Sequence, residues 1–175
     1  LGDVEGCKAY LIFNFYLFAV FSYLLFFELS RNKALSLLIA NVLVWSPNVY
    51  FTLFGGTLPF AATQMFLPLS LLLTVKYLST EDRRFLFLSS AVGGLSFLGH
   101  QVVGALLVFL PSLIVFVLWP KTPSFFKKLK TILIYGVITL LVCMPAFARS
   151  EYNFLNLAGG LWQIAQLDPG LYSVR

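Results

Sequence analysis

Six apolar runs of near-bilayer length dominate this chain, and they decide what it can fold into. A helix that crosses a bilayer needs about 20 consecutive, mostly apolar residues. The runs are 9–29, 34–54, 58–78, two inside 85–119, and 131–148. The stretch 85–119 is too long for one span, and Gly99-His100-Gln101 divides it into two helices joined by a tight turn. Composition agrees: 59% of residues are hydrophobic, 17% aromatic and 11% charged, with mean hydropathy +0.89. A soluble domain carries roughly 25% charged residues. With 175 residues, such a domain could not hide this much apolar surface. Disorder, a coiled coil, collagen and a small disulfide scaffold are excluded on the same numbers. The reading is an all-α, polytopic membrane protein of about six transmembrane helices. One membrane domain covers 1–175, with an outer segment 1–8, a helical membrane region 9–148 and an outer segment 149–175.

Charge orients it. With both termini outside, cytoplasmic segments hold Arg31, Lys33, Lys76, Arg83, Arg84, Lys121, Lys127, Lys128 and Lys130, nine of the twelve basic residues. Lys8, Arg149 and Arg175 fall outside. That asymmetry follows the positive-inside rule. The net charge of +5 is therefore a topology signal. Nucleic-acid binding would need the basic residues on one accessible face. The connection 120–130 contains Phe125-Phe126-Lys127-Lys128, read as a basic loop at headgroup level that meets anionic lipid.

The chain begins with Leu1, carries no signal-peptide pattern and reads as a piece of a longer protein. Cys7 and Cys143 fall at different depths, so no disulfide is expected between them. No Cys/His cluster has metal-ligand spacing. No internal repeat is evident.

Inside the runs, Pro47, Pro68, Pro111 and Pro145 predict kinks. Asn14, Asn41 and Gln64 are expected to form helix–helix hydrogen bonds. Ser89, Ser90, Gly93, Gly94 and Ser96, with Gly104 and Ala105, predict close packing of the fourth and fifth helices on each other. No charged residue falls at mid-depth, which argues against an ion-coupled transporter.

Candidate chemistry collects on the outer face. His100 could meet a phosphate or carry a proton; it reads equally as a turn residue. Gln101 is beside it. Gly55-Gly56-Thr57 precedes a helix start whose amides could bind an anion, or forms a plain tight turn. Asp3 and Glu5 could serve as a general base or hold a cation, or simply be solvated.

The order of these features resembles a known group. Ser30-Arg31-Asn32-Lys33 is followed by a helix ending in Trp45-Ser46-Pro47-Asn48-Val49-Tyr50, then Gly55-Gly56-Thr57-Leu58-Pro59. A helix with Phe66-Leu67-Pro68-Leu69, a basic loop and Gly94-Leu95-Ser96-Phe97-Leu98-Gly99-His100 complete it. This resembles the GT-C superfamily of membrane glycosyltransferases. More narrowly, it is similar to the bacterial and archaeal membrane proteins labelled 6-pyruvoyl-tetrahydropterin synthase-related. The resemblance spans roughly Asn14 to Pro145. The chain departs from that pattern at Gly99, where Thr is usual, and at Thr57, where His is frequent.

The resemblance implies a multi-pass protein of a prokaryotic plasma membrane. Its activity would be transfer of a sugar from a polyprenyl-phosphate donor to a carbohydrate acceptor on the outer face. A divalent cation (Mg or Mn) would be a plausible cofactor. Asp3 and Glu5 would be the end of a catalytic outer loop, and His100, Gln101, Gly55, Gly56 and Thr57 would bind the lipid phosphate. Membrane lipid and further protein subunits would be partners, and nucleic acid would not. A non-catalytic membrane subunit or scaffold is the alternative, ahead of a transporter.

Overall fold

The computed structural model describes residues 3–46, 58–99, 104–120 and 124–148, without the side chains of 3–5, 58–62, 99 and 146–148. Among the described residues all regular structure is helical. The elements are α1 (Asp3–Ser30), α2 (Lys33–Val44), α3 (Leu58–Thr80) and α4 (Arg83–Gly99), then a π-helical segment Gly104–Phe109 continuing as α5 (Leu110–Leu118), and α6 (Phe125–Ala148). Two helices, Gly6–Ser30 and Phe125–Pro145, are long and apolar enough to cross a membrane. Lys33–Val44 and Gly104–Leu118 are apolar but shorter. The chain divides into two compact units, Leu1–Cys143 and Met144–Arg175. Of the second, 144–148 is described, as the end of α6.

Two of the connections share one local chemistry. In Ser30-Arg31-Asn32, the Ser30 hydroxyl donates to the Phe26 carbonyl and accepts from the Asn32 amide. Asn32 Oδ1 then caps α2 by accepting from the Leu35 amide at 3.1 Å. In Thr80-Glu81-Asp82, Thr80 donates to the Lys76 carbonyl and accepts from the Asp82 amide. Asp82 Oδ1 caps α4 through the Arg84 amide at 2.9 Å. Asn and Asp are favoured at such positions because their short side chains reach an otherwise unpaired amide. Between them Arg31 and Glu81 adopt positive φ, 55° and 58°. This left-handed residue after the helix is the usual helix stop, here made without glycine.

The π-helical segment has a local cause. Pro111 has no amide hydrogen, and its ring would meet the Leu107 carbonyl in a regular α-helix. Widening the preceding turn relieves that conflict.

Packing aligns the helix ends. Phe18 of α1 and Val44 of α2 cluster with Met65 of α3. Leu25 clusters with Leu72 and Val75 of α3 and with Val115 and Trp119 of α5. So α1 and α3 run parallel. Leu86 of α4, Phe116 of α5 and Tyr135 of α6 form the next cluster, with Tyr77 and Leu78 against it. The turns after α1 and α3, the end of α5 and the start of α6 therefore share one end of unit Leu1–Cys143. That end carries Arg31, Lys33, Arg83, Arg84, Lys127, Lys128 and Lys130. Lys8 lies in the opposite part of α1.

Two sequence expectations are corrected here, and a third is met and extended. The first is Phe125-Phe126-Lys127-Lys128, which is not loop but the first turn of α6. A hydropathy boundary at Thr131 missed it because Lys and Phe continue a helix despite ending an apolar run. The Lys128 amide donates to the Ser124 carbonyl, closing that turn. Second, Asn14 and Asn41 donate to carbonyls of their own helices, Tyr10 at 2.8 Å and Leu37 at 2.9 Å. In a helix the carbonyl four residues back is always within reach. Third, the expected close packing of the fourth and fifth helices on each other is present, and α4 packs closely on α6 as well. Gly104 meets the α4 backbone, since a Cβ there would sit 2.7 Å from the Ser96 carbonyl carbon. A Cβ at Gly94 would sit 2.5 Å from Val142 Cβ and 2.9 Å from the Thr139 carbonyl of α6.

Candidate functional site

The residues singled out from sequence divide by what the structure describes. Asp3 opens α1 and Glu5 lies in its first turn, where acidic residues complement the positive helix end. Their side chains lie outside the described residues, as do His100, Gln101, Gly55, Gly56 and Thr57 entirely. The helix ends that flank them are described. Asp3 of α1, Val44 of α2, Leu58 of α3, Gly99 of α4 and Gly104 all belong to the end opposite Arg83. Among the described residues no group of His, Cys, Asp and Glu side chains is placed to hold a metal ion. Cys7 and Cys143 are both free thiols.

What the structure does bring together is a set of hydroxyls at the meeting of α3, α4, α5 and α6. Ser70 Oγ lies 2.9 Å from Ser112 Oγ and 3.3 Å from Ser89 Oγ. Thr74 Oγ1 lies 2.8 Å from Ser89 Oγ. Ser112 donates to the Val108 carbonyl, and Thr139 donates to the Ser90 carbonyl across the α4–α6 contact. All five side chains are buried. Tyr135 stands at the centre, fully buried. Its ring stacks on Phe109 at 5.4 Å and meets Phe116 edge-on at 5.3 Å. Its hydroxyl lies against Gly93 and among Ser70, Ser89, Ser112 and Thr139, without a hydrogen bond of ordinary geometry. Glycine at 93 is what admits it: a Cβ there would stand 2.8 Å from the Tyr135 oxygen.

Sequence reasoning named Ser89 and Gly93 but not Ser70, Thr74, Ser112, Tyr135 or Thr139. The signal was present as spacing. Thr131, Tyr135, Thr139 and Cys143 recur every fourth residue, as do Gly104, Val108, Ser112 and Phe116. Each set lies on one helical face, and each is the buried face.

The outward faces are the reverse. Leu37, Leu38 and Val42 of α2 and Leu133, Val137, Leu140 and Leu141 of α6 are exposed, Leu38 and Leu141 both at 62%. Among the described residues no Asp, Glu, Lys or Arg is buried. Comparisons with protein-family models, with curated protein sequences and with solved structures give no match to this chain.

Proposed function

We propose that this chain is the membrane-embedded helical domain of a multi-spanning protein, and that it serves a lipid-linked sugar transferase at its outer face. The apolar exterior carries the membrane half. The interior mixes buried hydroxyls and small residues with Leu, Val and aromatic side chains, while many more large apolar side chains face outward. In water such a surface would associate without limit. In hydrocarbon it costs nothing, and helices there adhere through small residues and buried hydroxyl contacts. In each of the two long apolar helices only 22% of the spanning window is buried. A soluble protein's core helix would bury most of it. The proposal has six spans, with the basic turns on the cytoplasmic side.

The transferase half rests on the order of sequence motifs described above. Its support from the fold is that the helix ends flanking Asp3, Gly55 and His100 belong to one end, away from the basic turns. That no charged side chain is buried among the described residues favours it over an ion-coupled transporter. Two measurements test the halves separately. The chain should resist alkaline extraction from membranes, and, with Cys7 and Cys143 replaced by serine, a cysteine replacing Ser124 should react with an impermeant maleimide only after the cytoplasmic side is opened. Release by alkali overturns the membrane half. The intact protein should also move sugar from a polyprenyl-phosphate donor, and His100→Ala should abolish that while leaving the helical content unchanged. Stable insertion without any transfer identifies a non-catalytic membrane subunit.

A further inference from the structure

At the basic end, a cleft of about 360 Å³ opens between the α3–α4 turn and the start of α6. It is larger than one water needs by more than an order of magnitude. Three cations line it, Arg83, Lys127 and Lys130, against one carboxylate, Glu81. Glu81 is already engaged, accepting from Lys127 Nζ at 2.6 Å. Arg83 and Lys130 make no ion pair among the described residues. Both sit in the opening turns of helices that have no acidic residue in their first turn. Asp82 caps the start of α4 through the Arg84 amide, whereas the start of α6 has no acidic cap and its positive dipole end adds to the cationic charge.

The rest of the cleft is not that of a simple anion site. Behind the cations, Tyr77 OH and Thr131 Oγ1 lie 3.1 Å apart. Two hydroxyls joined by one hydrogen bond leave one proton to donate. The remaining wall is apolar, formed by Leu86, Phe87 and Ile134. Phe87 is itself exposed, as are Leu133 and Val137, the residues of α6 beside and one turn beyond Ile134. Cations, a spare donor and an apolar wall line the same cleft.

From this arrangement we infer that the cleft binds an anionic glycerophospholipid of the cytoplasmic leaflet. Arg83 and Lys130 hold its phosphate, the Tyr77–Thr131 pair donates to a headgroup or ester oxygen, and an acyl chain lies along Phe87 and Ile134. A free phosphate would use the cations and leave the apolar wall bare. The inference rests on the membrane reading above.

The test uses the full chain in nanodiscs of phosphatidylcholine containing phosphatidylglycerol, with retained lipid counted by native mass spectrometry. Phosphatidylglycerol should be retained in preference. Arg83→Gln and Lys130→Gln should each lower that preference about fivefold. Lys33→Gln, a cation at the same end but outside the cleft, should leave it unchanged. Glu81→Gln frees Lys127 and should raise it. Equal retention of both lipids, an unchanged Arg83→Gln/Lys130→Gln double variant, or an equal loss in Lys33→Gln overturns the site. So does displacement of the lipid by inorganic phosphate alone. A chain that fails to enter the disc overturns the membrane reading together with the site, whereas insertion without lipid preference overturns the site alone.

Discussion

The two helical hairpins, α1–α2 and α3–α4, share a turn and little else. Both turns run hydroxyl, left-handed residue, capping Asn or Asp, then a basic residue. In the first, Arg31 pairs with Glu28 of its own helix, and the turn is complete in itself. In the second, Glu81 reaches instead to Lys127 of α6. The first hairpin has a broad outward face of Leu37, Leu38 and Val42. The second meets α5 through Ser70 and α6 through the Ser90 carbonyl and Gly94. One local design therefore serves an edge and a centre. What differs is the tertiary surroundings, and with them the cost of a change.

The largest expected contrast lies between glycines. Gly94→Val would drive carbon into Val142 and the Thr139 carbonyl, and should destabilise the protein by about 3 kcal/mol. Gly6 of α1 has nothing within 4 Å of a built Cβ. Gly6→Ala should be neutral or stabilise by up to ~1 kcal/mol through helix propensity. Unfolding in sodium dodecyl sulfate followed by circular dichroism measures both. Equal effects would mean that α4 is no more tightly enclosed than α1.

Hydroxyls give a smaller contrast. Ser89 meets Ser70 and Thr74, so Ser89→Ala should cost about 1.5 kcal/mol. Ser36 of the first hairpin bonds mainly to the Asn32 carbonyl within its own turn, at 2.6 Å. Ser36→Ala should cost about 0.6 kcal/mol. A reversed order would show that the central hydroxyls add little to stability.

The smallest contrast concerns the left-handed residues. Glycine removes the Cβ conflict at positive φ, worth about 1 kcal/mol, but deletes an exposed ion pair worth ~0.2–1 kcal/mol. Arg31→Gly loses a contact within one helix and should come out slightly stabilised. Glu81→Gly also unties the turn from α6, and should come out level or slightly destabilised. Raising the salt concentration should narrow the gap, since both pairs are exposed. A gap that persists at high salt would place the difference in packing.

The helices themselves were readable from the chain. Apolar runs at 9–29, 58–78 and 131–148 lie within α1, α3 and α6. The break at Gly99-His100-Gln101 falls between α4 and the π-helical segment. Boundaries were less readable where polarity and helix propensity diverge, as at Phe125-Phe126-Lys127-Lys128. The candidate outer residues, Asp3, Glu5, Gly55, Gly56, Thr57, His100 and Gln101, were named by chemistry alone. Helix ends near them are described, while their side chains are not. The buried hydroxyl cluster was legible only as a four-residue spacing. Serine at that spacing is equally compatible with a face turned to lipid headgroups or to a neighbouring helix.

The sequence by itself determined that this chain is helical, roughly where its longest apolar helices lie and which ends carry positive charge. Those properties follow from backbone hydrogen bonding, local capping and hydropathy, all of which act within a few residues. Only the tertiary structure decided which face of each helix is inside. That choice depends on contacts between residues far apart in sequence, such as Gly94 with Val142 and Ser70 with Ser112. It also brought Glu81 to Lys127 and, between them, formed a cleft that no single helix contains.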